Sequence, residues 1–238
     1  MKQTFIILFC AAAFKASSVE TITFPSKDGV TITGDLYVIN DTFPYMLLCH
    51  QAGYSRGEYK ETAKRFNKLG YNCLAIDLRS GGEINGIINQ TALEAKKAGK
   101  GTDYLDAEQD IIAGLDYAYK KGNKRVILVG SSYSASLVLK VAVKNPEVSA
   151  VIAFSPGEYF GKKLKLKDAI KELSCPVWIG SSFLEKPECE NLVIGIKSEK
   201  LITFAPSEKG EHGSKALWKT NSNYLDYWMS ILMFLDNN

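Results

Sequence analysis

Few residues of this 238-residue chain have the types and spacing that suit chemistry. An apolar run, Val126-Ile127-Leu128-Val129-Gly130, leads into Ser131-Ser132-Tyr133-Ser134-Ala135 and then into a helical pattern. Strand, sharp turn and helix in that order present a serine at the tip of the turn, the pattern G-x-S-x-G with Ser134 in the place of the second glycine. The turn crowds the positions two residues either side, and Gly130 and Ser134 are small enough to flank Ser132. Centring it on Ser134 loses the glycine and pushes the hydroxyl into the helix, so Ser132 is the expected nucleophile. A serine-rich turn is also an ordinary helix N-cap, and the histidines decide between the two readings. The chain has two, His50 and His212. His212, in Gly210-Glu211-His212-Gly213, follows the last expected strand, where a general base for Ser132 belongs. Imidazole takes and returns a proton near neutral pH. The carboxylate that orients it should follow Pro176-Val177-Trp178-Ile179-Gly180, the strand between serine and histidine. Glu185 is the first candidate there, with Glu188 and Glu190 beyond it; each alone reads as a solvated loop charge. The chemistry expected of such a set is acyl transfer through a covalent intermediate.

These residues need elements to hold them. Short apolar runs at Tyr45–His50, Cys73–Asp77, Val126–Gly130, Val148–Phe154, Val177–Gly180 and Leu201–Phe204 alternate with amphipathic stretches. The latter predict helices over Glu58–Leu69, Thr91–Ala98, Asp103–Lys121, Ser134–Lys144, Leu166–Leu173 and Ser222–Leu235. Alternation of this kind predicts a single α/β domain with a mainly parallel sheet and helices on both faces. Thr21–Phe24 and Val30–Val38 add an antiparallel hairpin at one edge. Working residues in such sheets gather beyond the C-terminal strand ends, where Ser132, His50 and His212 all fall.

At this point the chain resembles the α/β-hydrolase superfamily, and within it the small, lid-poor enzymes related to dienelactone hydrolase. The resemblance covers residues 20–235 and is carried by His50-Gln51-Ala52-Gly53, by Ile76-Asp77-Leu78-Arg79-Ser80-Gly81-Gly82, by the Ser132 turn and by Gly210–Gly213. The order Ser132, Glu185, His212 is the superfamily's chain order. Three departures stand out: Ser134 for glycine, Gln51 for glycine, and Phe183 where many relatives carry the acid. The resemblance implies an esterase or thioesterase acting on a small molecule through a Ser-His-Glu triad, with no metal and no organic cofactor. It implies an oxyanion hole from the backbone N–H groups of Tyr133 and Ala52, and a substrate site lined by Gln51, Tyr159 and Phe160. Asp77 becomes a turn anchor near Arg79. A serine peptidase on the same fold and a non-catalytic binding protein are the rival readings.

Composition sets the outer bounds. Hydrophobic residues at 46% and charged residues at 23% belong to a globular protein. A net charge of +3 without a basic run argues against a nucleic-acid partner. After the first residues no apolar run reaches the length of a membrane span. Residues 1–18 read as a secretory signal: Lys2, the apolar run Phe5–Ala13, and small residues at Ala16-Ser17-Ser18. The expected product is an exported domain, periplasmic or secreted, over residues 19–238. Cys49 and Cys73 sit in apolar strands as small hydrophobes. Cys175 and Cys189 flank a strand and its loop, and pair only if that loop folds back. Oligomeric state has no signal in the sequence.

Overall fold

A computed structural model describes residues 18–236; the expected signal segment lies outside them, apart from the backbone of Ser18. The chain begins with β1 (Ser18–Pro25) and β2 (Thr31–Val38), then β3 (Tyr45–Cys49), α1 (Thr62–Lys68) and β4 (Asn72–Ile76). A two-stranded ribbon, β5 (Glu83–Ile84) and β6 (Ile87–Ile88), precedes α2 (Gln90–Lys97) and α3 (Glu108–Gly122). Next come β7 (Val126–Ser131), α4 (Tyr133–Ala142), β8 (Val148–Phe154), α5 (Leu166–Ala169) and β9 (Val177–Gly180). The chain ends with α6 (Lys186–Val193), β10 (Leu201–Phe204) and α7 (Tyr224–Asp236).

Eight strands form one sheet in the order β1-β2-β4-β3-β7-β8-β9-β10. β2 pairs antiparallel with both β1 and β4, and every other pairing is parallel. The expected α/β architecture and antiparallel edge are both present. Parallel strands covered on both faces have no solvent side, which is why β3 reads Tyr-Met-Leu-Leu-Cys and is buried throughout. Alternation still sorts the residues. Leu47 and Cys49 face one core with Ile111 of α3 and Leu137 of α4, whereas Met46 and Leu48 face the other with Phe66 of α1 and Trp228 of α7.

Several boundaries differ from expectation for physical reasons. The helix expected from Glu58 divides into a 3-10 turn, Arg56–Tyr59, and α1; that over Asp103–Lys121 divides likewise at Tyr104–Ala107. α3 ends on Asn123 in the left-handed conformation rather than at Gly122. α6 was not anticipated, because its glutamates read as a loop. Pro187 suits its first turn, and Cys189, Leu192 and Val193 give it a buried side. Asp77 anchors its turn as expected, through Arg56 and the Gln90 N–H. Arg79 holds Asp28 and Asp110. Cys175 and Cys189 are both free thiols, and the Cys189 thiol faces the Pro156 carbonyl at 3.4 Å.

Candidate active site

Ser132 joins β7 to α4 with φ 60° and ψ −124°. Side chains rarely adopt this conformation because Cβ crowds the backbone. Two neighbours enforce it. A Cβ on Gly130 would lie 2.5 Å from Ala135 Cα and 2.6 Å from Ala135 N, so only glycine lets the strand meet the helix there. Ser134 is fully buried; its Oγ accepts from Ser131 N at 2.9 Å and lies 2.8 Å from the Cys49 carbonyl. Ser134 thus closes the turn, while Ser132 stands at its tip. Tyr133 is the first residue of α4, so its N–H has no acceptor within the helix.

His212 follows β10 and precedes a 3-10 turn, Gly213–Leu217. Its Nδ1 lies 2.5 Å from Glu185 Oε1. The other oxygen of Glu185 accepts from Ser155 Oγ (2.8 Å), Ser182 Oγ (2.8 Å) and Ser182 N (3.0 Å). Burial raises the Glu185 pKa, but the bonds from His212, Ser182 and Ser155 outweigh it and hold the carboxyl at about 2. An ionised carboxylate on Nδ1 leaves Nε2 as the proton acceptor. Glu188 lies in the first turn of α6, and Glu190 faces Lys186 at 3.8 Å and Thr203 at 3.4 Å. Of the three glutamates, the structure brings Glu185 to the histidine.

Ser155 was not foreseen. It directly follows β8 with φ 50°, donates a hydrogen bond to Glu185 and accepts from Gly213 N at 3.0 Å, tying the acid to the histidine loop. Its only sequence signal is its place directly after a strand.

His50 is fully buried. Its Nε2 accepts from Leu78 N at 2.8 Å, which leaves Nδ1–H to donate to the Gln51 carbonyl at 2.8 Å. Burial pushes its pKa down despite these bonds, so it stays neutral and fastens the loop carrying Gln51 and Ala52. Gln51 is placed differently from expectation. It is 8% exposed, packs against Gly213, and its Oε1 has no hydrogen-bond partner among the described residues. Tyr159 and Phe160 do line a cavity, of about 290 Å³, with Ser80, Thr102, Tyr104 and Leu105. Tyr159 Oη donates to the Ser155 carbonyl at 2.8 Å and lies within hydrogen-bonding reach of Ser132. Burial raises that phenol to about 12, and it remains a donor at neutral pH. Asp103 and Lys163 pair at 2.8 Å on the cavity wall.

Comparison with known proteins then places the chain. A family model described as serine aminopeptidase, S33, matches residues 42–191, more than half of the chain. The chain belongs to this family. It is therefore a hydrolase of the serine type on the α/β-hydrolase fold. Solved structures agree in fold. An esterase from Pyrococcus furiosus has a TM-score of 0.69 at 16% identity, covering 93% of each chain. A dienelactone hydrolase from Anabaena variabilis has a TM-score of 0.68 at 15% identity, covering 92% of this chain and 95% of its own. An acylaminoacyl peptidase from Pyrococcus horikoshii reaches 0.65 at 16% identity, with 93% of this chain against 42% of its own. None of the curated proteins matches in sequence.

Proposed function

We propose that this S33 protein cleaves a small ester or thioester, with Ser132 as nucleophile, His212 as general base and Glu185 as the acid that orients it. The observation that carries this is the 2.5 Å contact between Glu185 and Nδ1 of His212. In the reaction, Ser132 Oγ attacks the substrate carbonyl while its proton passes to Nε2 of His212. The tetrahedral oxyanion takes N–H donors from Tyr133 and Ala52; one such donor is worth about 10²–10³ in turnover. Collapse of the intermediate expels the alcohol or thiol, which takes the proton from the imidazolium. Water, deprotonated by the same histidine, then attacks the acyl-enzyme and releases the acid.

The family description favours a second reading, an aminopeptidase. The esterase reading takes the cavity beside Tyr159 and Phe160 as the place of a neutral acyl group of modest size, with Asp103 on its wall paired to Lys163. A fluorophosphonate probe tests the serine hydrolase class directly. Among substrates, p-nitrophenyl esters of two to eight carbons are expected to be cleaved, the shorter ones faster, and aminoacyl p-nitroanilides to be poor. Faster turnover of the anilides would establish the peptidase instead.

A further inference from the structure

The reaction as proposed has no use for Glu58, yet this residue is 1% exposed beneath the site. It sits in the 3-10 turn Arg56–Tyr59 that follows the His50 loop. One carboxylate oxygen, Oε2, accepts from Gln51 N at 2.7 Å. The other accepts from Ser131 Oγ at 2.8 Å and from Ser214 Oγ at 2.5 Å. Ser131 Oγ in turn accepts from Ser214 N at 2.8 Å. These three partners belong to three different segments of the chain. Gln51 immediately precedes Ala52, Ser131 immediately precedes Ser132, and Ser214 follows His212 by two residues.

A buried carboxylate whose hydrogen bonds all come from neutral donors is expensive, and burial raises the Glu58 pKa against those bonds and the more distant charge of Lys215. An aliphatic side chain would fill the space without that cost, but it would leave a backbone N–H and two hydroxyls in three loops without acceptors. The Glu58 carboxyl accepts from all three donors at once, one oxygen on Gln51 N and the other on the two serine hydroxyls. Close packing around the knot narrows the alternatives further: a Cβ on Gly213 would lie 2.5 Å from Gln51 Oε1 and 2.6 Å from Ser131 Oγ.

We infer that Glu58 is a positioning residue of the reaction: its carboxylate sets the oxyanion loop, the nucleophile turn and the histidine loop in one fixed register. The inference rests on the reading of Ser132, His212 and the Tyr133 and Ala52 N–H groups as the reacting set. Glu58 touches no substrate; it acts through Gln51, Ser131 and Ser214.

Glu58→Gln tests this sharply. An amide accepts on one side only: with its oxygen on the Gln51 N–H, its NH₂ faces the two serine hydroxyls, which must turn to accept and so lose the acceptor they share. Because a displaced oxyanion donor acts on the transition state, kcat should fall by about 10²-fold with KM changed less than about threefold. The affinity of a trifluoromethyl ketone, which forms a tetrahedral oxyanion on Ser132, should fall in parallel with kcat/KM. Thermal unfolding and circular dichroism would be recorded beside the kinetics. Wild-type kcat in folded Glu58→Gln overturns the inference, as does a KM rise with kcat kept. Should that variant fail to fold, Ser214→Ala decides. It removes one tie and adds no unpaired charge, and it should lower kcat about tenfold at constant KM; wild-type kcat there overturns the inference. Fluorophosphonate labelling of the wild-type protein separates the two proposals. An unlabelled wild-type serine sinks the serine-hydrolase reading itself, while a labelled wild type with an equally fast Glu58→Gln sinks only the role of Glu58.

Discussion

At the scale of single residues, the serine turn invites a test in which stability and activity move apart. Ser132→Ala should remove ester turnover, by about 10⁶ in a working triad, and abolish probe labelling with the fold kept. Ser134→Ala should stay labelled, and lose roughly 1 kcal/mol with its buried hydrogen bonds. Ser132→Gly goes further. A positive φ of 60° costs a side chain about 1–3 kcal/mol, against about 0.5–1 kcal/mol for the freedom glycine adds to the unfolded chain. Strain wins, so the glycine variant should be inactive and at least as stable as wild type in urea. Glu185 gives a prediction in pH. Its carboxyl sits at about 2 when folded against 4.5 ordinarily, so the native state binds the proton less readily than the unfolded chain. Its stabilisation is complete above about pH 4.5 and is lost as pH falls toward 2. Glu185→Gln should flatten that part of the stability profile and cut turnover by about 10⁴, whereas Glu188→Gln and Glu190→Gln should match wild type. Full activity in Glu185→Gln would move the role to another acid.

At the scale of elements, the β7–α4 junction is the tightest joint beside the site. Gly130→Ala places a methyl group 2.5 Å from the Cα of Ala135, which is backbone and cannot rotate away. The expected cost is about 1–3 kcal/mol, read from chemical denaturation, together with reduced labelling of Ser132. Wild-type stability would show that α4 slides to make room. α6 serves the site from outside it: Glu185 is its N-cap residue, and Cys189, Leu192 and Val193 bury its inner side. The longer side chain of a glutamate reaches His212 from a helix start rather than from the strand end.

At the scale of the molecule, a charge network ties the turn of the opening hairpin to α3. Arg79, whose side chain is 2% exposed, pairs at 2.7 Å with Asp28 before β2 and at 2.7 Å with the buried Asp110 of α3. Arg79→Met leaves Asp110 without its cation, and breaking such a buried pair costs about 3–5 kcal/mol. A lowered melting temperature is expected; an unchanged one would mean the hairpin does not depend on this network. The amino terminus offers another test. Cleavage before Val19 would leave β1 paired from Val19 against Tyr37 onward. Sequencing of the protein exported by its native host is expected to begin near Val19, and a chain that retains Met1 would contradict the export reading.

Local rules account for much of this protein. Period and length distinguish buried strands from amphipathic helices, since side-chain periodicity is a property of the backbone. Small residues around Ser132, a histidine after the last strand and a glutamate after the strand before it are visible as spacing alone. Where a loop folds back is another matter, because that depends on what packs beneath it. α6 was hidden because its outer face is acidic and its buried side spans only Cys189, Leu192 and Val193. Asp77 and Arg79 lie two residues apart, and only the folded strand end shows that their partners are Arg56 and Asp110. Gln51 resembles a substrate ligand until the histidine loop closes over it. Ser155, Ser182, Ser214 and Glu58 carry no motif at all. Apart from short ties such as Ser182 to Glu185, three residues on, their roles arise from hydrogen bonds between residues 30 to 156 apart, and such bonds exist only once the sheet has brought its strand ends to one edge.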